Sequence, residues 1–259
     1  MAENSGIEWT HHTFNPWMGC TKVSPACDHC YAERDTKRFG RVTWGESRVR
    51  TAVSTWKQPE KWNRDAEKLD YRPRVFCSSL ADVFDNHSSI TSGWRGDLWH
   101  LIARTPHLDW LLLTKRPQNI DKMMPETYGA PAWGNGWPNV WLGITAENQQ
   151  EYDRRWLHLA TIPAAVRFIS YEPALGPLSI AGGNLPNWVI AGGESGPLYR
   201  EADADWYRAI RDECEMYGVP FLFKQWSGPN QKAIKAMGRE LDGVVHDDYP
   251  PPLRAENRK

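Results

Sequence analysis

Short apolar runs recur along most of this chain at nearly regular intervals. They start at residues 74, 110, 140, 166, 188 and 221, so consecutive starts lie 22 to 36 residues apart. This spacing is close to the length of one βα unit, about 30 residues. The runs are apolar throughout rather than alternating, which is typical of strands buried on both faces of a parallel sheet. The repeat therefore predicts parallel strands joined by crossovers.

Helix-like stretches fit between the apolar runs. Residues 92–104, 147–162 and 203–217 carry apolar side chains at helical spacing, and the last stretch stops at Gly218, a residue type that favours helix ends. Strand, helix and strand at this period imply right-handed crossovers. With a further strand expected near residues 13–17, we predict an α/β fold, a partial or complete (β/α) barrel of parallel strands forming a single domain over residues 1–259.

Charge and hydropathy exclude several classes of protein. The chain has 31 Lys and Arg against 32 Asp and Glu, a net charge of −1. This balance excludes a generally basic DNA-coating protein but leaves room for a local basic patch. No apolar run approaches the roughly 18 residues that span a bilayer, and the first residues lack the features of a secretion signal. We expect no membrane partner and a cytoplasmic location.

Three segments stand outside the repeat. Residues 34–74 hold twelve Lys and Arg, six Asp and Glu, and three Trp. We interpret this basic, Trp-containing insertion either as a surface for nucleic acid or a phosphorylated substrate, or as a solvated helical surface. Residues 125–139, rich in Gly, Pro and aromatics, are interpreted as an ordered loop or lid over a strand end. Residues 242–259 are predicted to be a polar surface tail.

Polar clusters follow each apolar run, where parallel α/β folds bind ligands. A lysine there could clamp a carboxylate or phosphate, and a glutamate could position a ribose or an amine. The competing interpretation is turn chemistry and helix capping. The candidate cofactor-binding residues are Ser78, Ser79, Asp82, Lys115, Glu147, Glu172, Gly192, Gly193 and Glu194.

Cys20, Cys27 and Cys30 fall within eleven residues, with gaps of six and two residues. Clustered thiolates can ligate a soft metal centre. A 4Fe–4S cluster normally takes four cysteines, so three leave one iron open to a ligand that chelates through amino and carboxylate groups. That arrangement suits S-adenosylmethionine (SAM). A structural zinc site is the second alternative. It requires four protein ligands that fill the coordination shell, and the fourth would come from a histidine at position 11, 12 or 29. Buried, reduced cysteines are the third alternative, although their neighbours are polar.

Motifs along the whole chain carry a family resemblance. NPWMGCTKVSPACDHCYAE is followed by FCSSLADVFD, LLLTKRPQN, VWLGITAEN, FISYEPALGPL, WVIAGGESG, FLFKQWSG and AMGRELDGVVHDDYP. This set resembles a phage- and prophage-associated family of unknown function, which in turn resembles the radical SAM superfamily. The chain departs from the superfamily pattern because six residues, not three, separate the first two cysteines. The superfamily's Gly-Gly-Glu stretch follows the second strand, whereas here it follows a late strand and residues 78–82 occupy the earlier position.

The resemblance implies a radical SAM enzyme in which the three cysteines hold a 4Fe–4S cluster and a deoxyadenosyl radical abstracts a hydrogen from substrate. It implies a modified nucleobase as substrate, most concretely an amino-acid-decorated thymine rearranged during phage DNA hypermodification in the host cytoplasm. DNA or a modified nucleotide would be a partner, as would an electron donor such as flavodoxin or ferredoxin. The alternatives are a DNA-lesion lyase resembling spore photoproduct lyase and a non-enzymatic, zinc- or cluster-stabilised nucleic-acid-binding protein.

Overall fold

The computed structural model describes residues 2–38, 40 and 42–251. Seven parallel strands and three long helices form its framework. The strands are β1 Ala2–Glu3, β2 His12–Thr13, β3 Trp17–Met18, β4 Val49–Arg50, β5 Arg74–Cys77, β6 Asp109–Thr114, β7 Val140–Thr145, β8 Val166–Tyr171, β9 Trp188–Gly192, β10 Phe221–Gln225, β11 Glu240–Leu241 and β12 Val244–Val245. The helices are α1 Tyr31–Arg38, α2 Val53–Trp56, α3 Gln58–Ala66, α4 Ser92–Ala103, α5 Gln149–Leu159, α6 Ala204–Tyr217 and α7 Gln231–Met237, with short 3-10 turns at Pro25–Cys27, Pro117–Asn119, Asp121–Met123 and Pro125–Tyr128.

The main sheet has the strand order β1-β2-β5-β6-β7-β8-β9-β10. Within this sheet, each neighbouring pair of strands from β2 through β5 to β10 is parallel. Only β1, at one edge, runs antiparallel to its neighbour. Because spatial order follows chain order, each crossover advances one strand in the same direction, and the sheet curls into an open half-barrel. This confirms the predicted α/β partial barrel.

The first strand is shorter than expected from residues 13–17. His12–Thr13 joins the barrel by pairing with β5. Trp17–Met18 leaves the sheet and pairs instead with Val49–Arg50 in a separate two-stranded ribbon. The chain turns away here because Asn15, completely buried, accepts a hydrogen bond from the Leu80 backbone (2.8 Å) and donates one to Ser79.

The two faces of the sheet bury separate apolar clusters. The outer face packs against the helices. The inner face fills the bottom of the half-barrel with Trp9, Phe76, Leu111, Trp141, Val166, Phe168, Trp188, Ile190 and Leu222. Gly143 makes this filling possible, because a Cβ there would lie 2.3 Å from the Phe168 ring. The strands are buried on both faces, as their uninterrupted apolar runs predicted.

Side-chain caps set the ends of the long helices. Thr91, Asn148 and Asp203 each accept a hydrogen bond from a backbone N–H in the first turn of α4, α5 and α6. At the other end of α6, Gly218 adopts φ 67°, the left-handed conformation that glycine adopts most easily. The helix end predicted at this glycine is confirmed.

Residues 34–74 fold against the sheet rather than away from it. Trp56 and Trp62 are buried in the outer core, on α2 and α3. Six of the described basic side chains in this segment are in ion pairs with acids. The pairs are Arg34–Asp35, Lys37–Glu33, Arg48–Asp85, Arg50–Asp97, Lys61–Glu3 and Arg72–Asp109. Much of the local positive charge is therefore balanced within the described protein.

Two segments outside the repeat contact the barrel. The stretch 125–139 is an ordered loop that leads into β7, one of its two predicted forms. Trp133 packs against Trp99 of α4 and donates to the Pro163 carbonyl (2.8 Å) after α5. Residues 242–251 do not trail away as a tail. The His246 carbonyl accepts from the Phe223 N–H (3.0 Å) and the Asp248 N–H donates to Phe221 (3.1 Å), so this segment covers the edge of β10. The rest of the predicted tail, residues 252–259, lies outside the described residues.

Within the described residues, no helix is both long and apolar enough to cross a membrane.

Candidate functional site

A cavity of about 570 Å³ opens at the carboxyl ends of the parallel strands. Cys20, Cys27 and Cys30 all line it, although they belong to different pieces of local structure. Cys20 follows β3, Cys27 ends the 3-10 turn Pro25–Cys27, and Cys30 directly precedes α1. Cys27 is buried, whereas the other two are half-buried. The strand-end location is where parallel barrels place their ligands.

The N-terminal end of the cysteine loop (residues 19–30) is fixed to the segment after β5. The Gly19 N–H donates to the Leu80 carbonyl at 3.0 Å. Gly19 has φ 104°, and a Cβ there would lie 2.5 Å from the Ser47 carbonyl oxygen, so only glycine fits. This contact sets where Cys20 enters the cavity.

Asp82 and Arg116 form a buried ion pair beside Cys20. The Asp82 carboxylate accepts from Arg116 Nη1 (3.0 Å) and from the Thr114 hydroxyl (2.7 Å). Arg116 in turn lies 3.5 Å from Cys20 Sγ and donates to the Thr21 carbonyl (2.8 Å). Burial, together with the Asp82 charge, raises the pKa of the Cys20 thiol to about 11 against the opposing effect of Arg116. The ion pair with Asp82 therefore holds the Arg116 guanidinium beside the Cys20 thiol.

Glu194 links the end of β9 to the middle of the cysteine loop. Its carboxylate accepts two hydrogen bonds from the Arg200 guanidinium and lies 3.2 Å from His29 Nδ1. Arg200 also donates to the Pro25 carbonyl at 2.9 Å. Burial acts to raise the pKa of Glu194, but the Arg200 hydrogen bonds outweigh it and the pKa lies below its ordinary value.

Glu147 supports the same loop from below. It is completely buried, accepts from the Ala26 N–H (3.2 Å) and pairs with Arg155 at 2.6 Å. Burial raises its pKa and the Arg155 charge lowers it, with a net lowering. Glu147 does not line the cavity. We predicted it to position a ribose or amine; its carboxylate is instead occupied by protein donors.

The two glycines before Glu194 differ in their surroundings. A Cβ on Gly193 would lie 2.2 Å from the Ser227 backbone nitrogen. The chain segments that follow β9 and β10 pass so close to each other here that only glycine fits. A Cβ on Gly192 would make only ordinary contacts, the nearest at 3.4 Å to Glu172. Gly193 lines the cavity and Gly192 does not. Glu172, which also lines the cavity, pairs with Lys224 from β10.

Most of the candidate residues meet at this cavity. Besides the three cysteines, those that line it are Ser78, Ser79, Asp82, Lys115, Glu172, Gly193 and Glu194. The hydroxyls of two of them are already hydrogen-bonded to protein. Ser78 donates to the Ala81 carbonyl, and Ser79 accepts from the Asn15 side chain.

No three Cys, His, Asp or Glu side chains in the described part of the chain converge closely enough to hold a single metal ion. A tetrahedral zinc ion gathers four donors around one centre, with sulfurs at about 2.3 Å from the metal. In a 4Fe–4S cluster each cysteine ligates a different iron, so its donors stand further apart. Cys20, Cys27 and Cys30 therefore share one cavity without converging on a single point.

Several residues of the site escaped the sequence interpretation. Arg200 reaches a loop 175 residues before it in the chain, a contact that no local pattern reveals. Trp44, the one tryptophan of the insertion that lines the cavity, is indistinguishable in sequence from the two buried ones. Thr145 is the last residue of β7 and Ser170 the last but one of β8, so both were hidden within apolar runs. The alternation of side chains along each strand was the signal that could have found them.

Comparisons with known proteins were made on the whole chain. A search of curated proteins gave no match. Among solved structures, the chain is similar to a mutant of spore photoproduct lyase, with a TM-score of 0.47 and 10% sequence identity, over 82% of this chain and 63% of that one. The chain thus spans less than two thirds of that structure. A family model described as "Protein of unknown function (DUF5131)" matches residues 4–250, and the chain therefore belongs to this family.

Proposed function

We propose that this protein is a radical SAM-type iron–sulfur enzyme that rearranges a modified nucleobase. The observation that carries the proposal is the placement of Cys20, Cys27 and Cys30 around one cavity at the carboxyl ends of a parallel half-barrel. These cysteines would hold a 4Fe–4S cluster. With SAM bound, the cluster would supply an electron that releases a deoxyadenosyl radical.

The protein's own residues would prepare the site. Arg116 opposes the burial that raises the pKa of Cys20, and its charge would favour the thiolate that a metal requires. Glu147, Glu194 and Arg200 hold the backbone around Cys27 in place. Trp9, Phe76 and Leu113 line the cavity among apolar neighbours and exclude water from its floor. A dry floor protects a reactive intermediate from side reactions.

The substrate proposal is an amino-acid-decorated thymine in phage DNA. Exposed Tyr31 and half-buried Trp44 line the cavity and offer ring faces on which a flipped base could stack. Arg34 and Lys22 also line it and offer positive charge for a nucleotide backbone. The reaction would need an electron donor such as flavodoxin or ferredoxin, and the host cytoplasm would supply one.

Purification without oxygen tests the proposal. We expect a brown protein with about four irons per chain that converts SAM to deoxyadenosine and methionine, and loss of both properties in Cys27→Ala. A protein that holds one zinc and no iron would contradict the enzyme and favour a nucleic-acid-binding module. Mass spectra of nucleosides from treated phage DNA then separate the reactions: an isomerase changes retention time at constant mass, whereas a lesion lyase changes the mass.

A further inference from the structure

We propose that Lys115, Thr145 and Ser170 form a binding subsite for a carboxylate inside the cavity. The inference rests on the proposed function, because it names which chemical group of SAM or of the substrate this wall of the half-barrel would hold. It concerns Lys115 directly after β6, Thr145 at the end of β7 and Ser170 on β8.

The three residues lie side by side on neighbouring strands. Thr145 and Ser170 are partners in the register of β7 and β8. Lys115 follows Thr114, whose partner on β7 is Ile144, so Lys115 comes level with Thr145. All three line the cavity. Together they form one polar row across the inner wall.

The Lys115 ammonium and the Thr145 and Ser170 hydroxyls have no hydrogen-bond partner within the described residues. Thr145 and Ser170 are 1% and 3% exposed, yet neither hydroxyl makes a hydrogen bond there, and neither is sealed from the cavity. Buried hydroxyls ordinarily find a partner. Two open hydroxyls on buried residues beside an ammonium therefore indicate a ligand that supplies acceptor oxygens.

The acids around the cavity do not balance Lys115. Each has a cation of its own among the described residues: Arg34 pairs with Asp35, Arg116 with Asp82, Arg200 with Glu194 and Lys224 with Glu172. Lys22, another lysine of the lining, pairs with Glu33 outside it. Among the described lysines and arginines of the lining, Lys115 is thus the one whose charged side-chain end has no acid within 4 Å, although its backbone N–H donates to Asp82 (3.1 Å). A half-buried ammonium gains most from an anionic partner, because its own desolvation is then compensated.

The wall below the row is apolar. Leu113, two residues before Lys115, lines the cavity, and the Phe168 ring covers Gly143 at the same level. A ligand that fits this wall has an apolar or ring portion and a negatively charged end. An amino-acid carboxylate joined to a ring system meets both requirements. SAM carries one, and so does a thymine decorated with an amino acid.

Binding of two probe pairs to the full-length, metal-free protein tests the subsite, because in a cluster-loaded protein the open iron would itself bind the SAM carboxylate. One pair is SAM and decarboxylated SAM; the other is a thymidine bearing glycine on its 5-methyl carbon and the corresponding glycinamide. We expect the carboxylate form of one pair to bind about 10- to 100-fold more tightly than its partner, and Lys115→Met to abolish this preference. A preference in the first pair assigns the subsite to SAM, and one in the second assigns it to the substrate.

Matched variants keep the test decisive. Thr145→Val and Ser170→Ala should each reduce the preference several-fold, and they report on the row if Lys115→Met fails to fold. Lys61→Met removes a lysine outside the cavity and should leave the preference intact. The proposal is overturned if neither pair shows a preference or if the preference survives Lys115→Met. Because binding is measured without turnover, the absence of iron or of SAM cleavage is a separate result that bears on the proposed function.

Discussion

Arg200 and Glu194 form a two-point contact that ties the end of β9 to the cysteine loop. Arg200 Nη2 lies 2.5 Å from Glu194 Oε1 and Nε lies 2.9 Å from Oε2, while Nη2 also donates to the Pro25 carbonyl. A planar guanidinium that bonds a carboxylate at two points fixes orientation as well as distance. The turn that carries Cys27 is therefore positioned by a strand end far away in sequence.

Replacing Arg200 should loosen this turn. In Arg200→Met the Glu194 carboxylate, 5% exposed, keeps only His29 Nδ1 and the backbone N–H of residue 200 as described neighbours within hydrogen-bond distance. We expect a loss of about 2 kcal/mol in the free energy of unfolding, because a buried charge loses its strongest hydrogen bonds. Urea unfolding of the metal-free protein measures the loss, and iron content after anaerobic purification should fall in parallel.

Arg208→Met is the control for Arg200→Met. Arg208 also forms two-point contacts, with Asp242, but on the exposed surface of α6. Exposed pairs contribute about 1 kcal/mol or less, and iron content should stay unchanged. If both variants behave alike, Arg200 has no special role at the cysteine loop.

Gly193 and Gly192 offer a test of why the Gly-Gly-Glu stretch is glycine-rich. Gly193→Ala places a Cβ 2.2 Å from a backbone nitrogen that cannot rotate away, so we expect destabilisation of about 3 kcal/mol or more. Gly192→Ala meets only ordinary contacts and should change stability little. Thermal unfolding of both variants checks this. Equal tolerance would mean that the strand ends separate more easily than the packing indicates.

The strands and long helices were predictable from sequence because each depends on local signals. The run at 74–77 coincides with β5, and α6 ends at Gly218 as its glycine indicated. The first strand was not predictable in full, because the chain's departure after Thr13 depends on Asn15, whose partners lie 64 and 65 residues away. For the Trp-rich stretch before β7 the sequence left an ordered loop and a lid over a strand end as alternatives, because aromatic composition does not reveal which end of the barrel a loop covers.

The candidate site was predictable in position and only partly in role. Strand-end rules placed Lys115, Glu172 and Glu194 near the cysteines, and all three line the same cavity. They could not show that Glu147 points away into a buried pair, because a glutamate after a strand looks the same whether it faces a ligand or an arginine. Such assignments depend on contacts between distant segments, which spacing along the chain does not encode.

The Glu147–Arg155 pair should make stability depend on acid pH. The folded-state pKa of Glu147 is lowered, so its contribution is fully present above the unfolded-state pKa of about 4.3 and declines as pH falls towards the folded value. Glu147→Gln should therefore cost about 2 kcal/mol at pH 7, and the difference from wild type should shrink between pH 5 and pH 3. Urea unfolding across this range measures it. A difference that stays constant with pH would show that charge is not the source.

Gly143 and Phe168 should be energetically coupled. A Cβ at position 143 would lie 2.3 to 2.5 Å from three atoms of the Phe168 ring, which fills the bottom of the half-barrel. We expect Gly143→Ala to destabilise the protein by about 3 kcal/mol, and Phe168→Leu to cost less. In the double variant the smaller side chain gives way to the new methyl group, so the total loss should be at least 1 kcal/mol smaller than the sum of the two single losses. Denaturant unfolding of the four proteins measures the coupling, and simple additivity would mean that the clash is relieved by backbone movement instead.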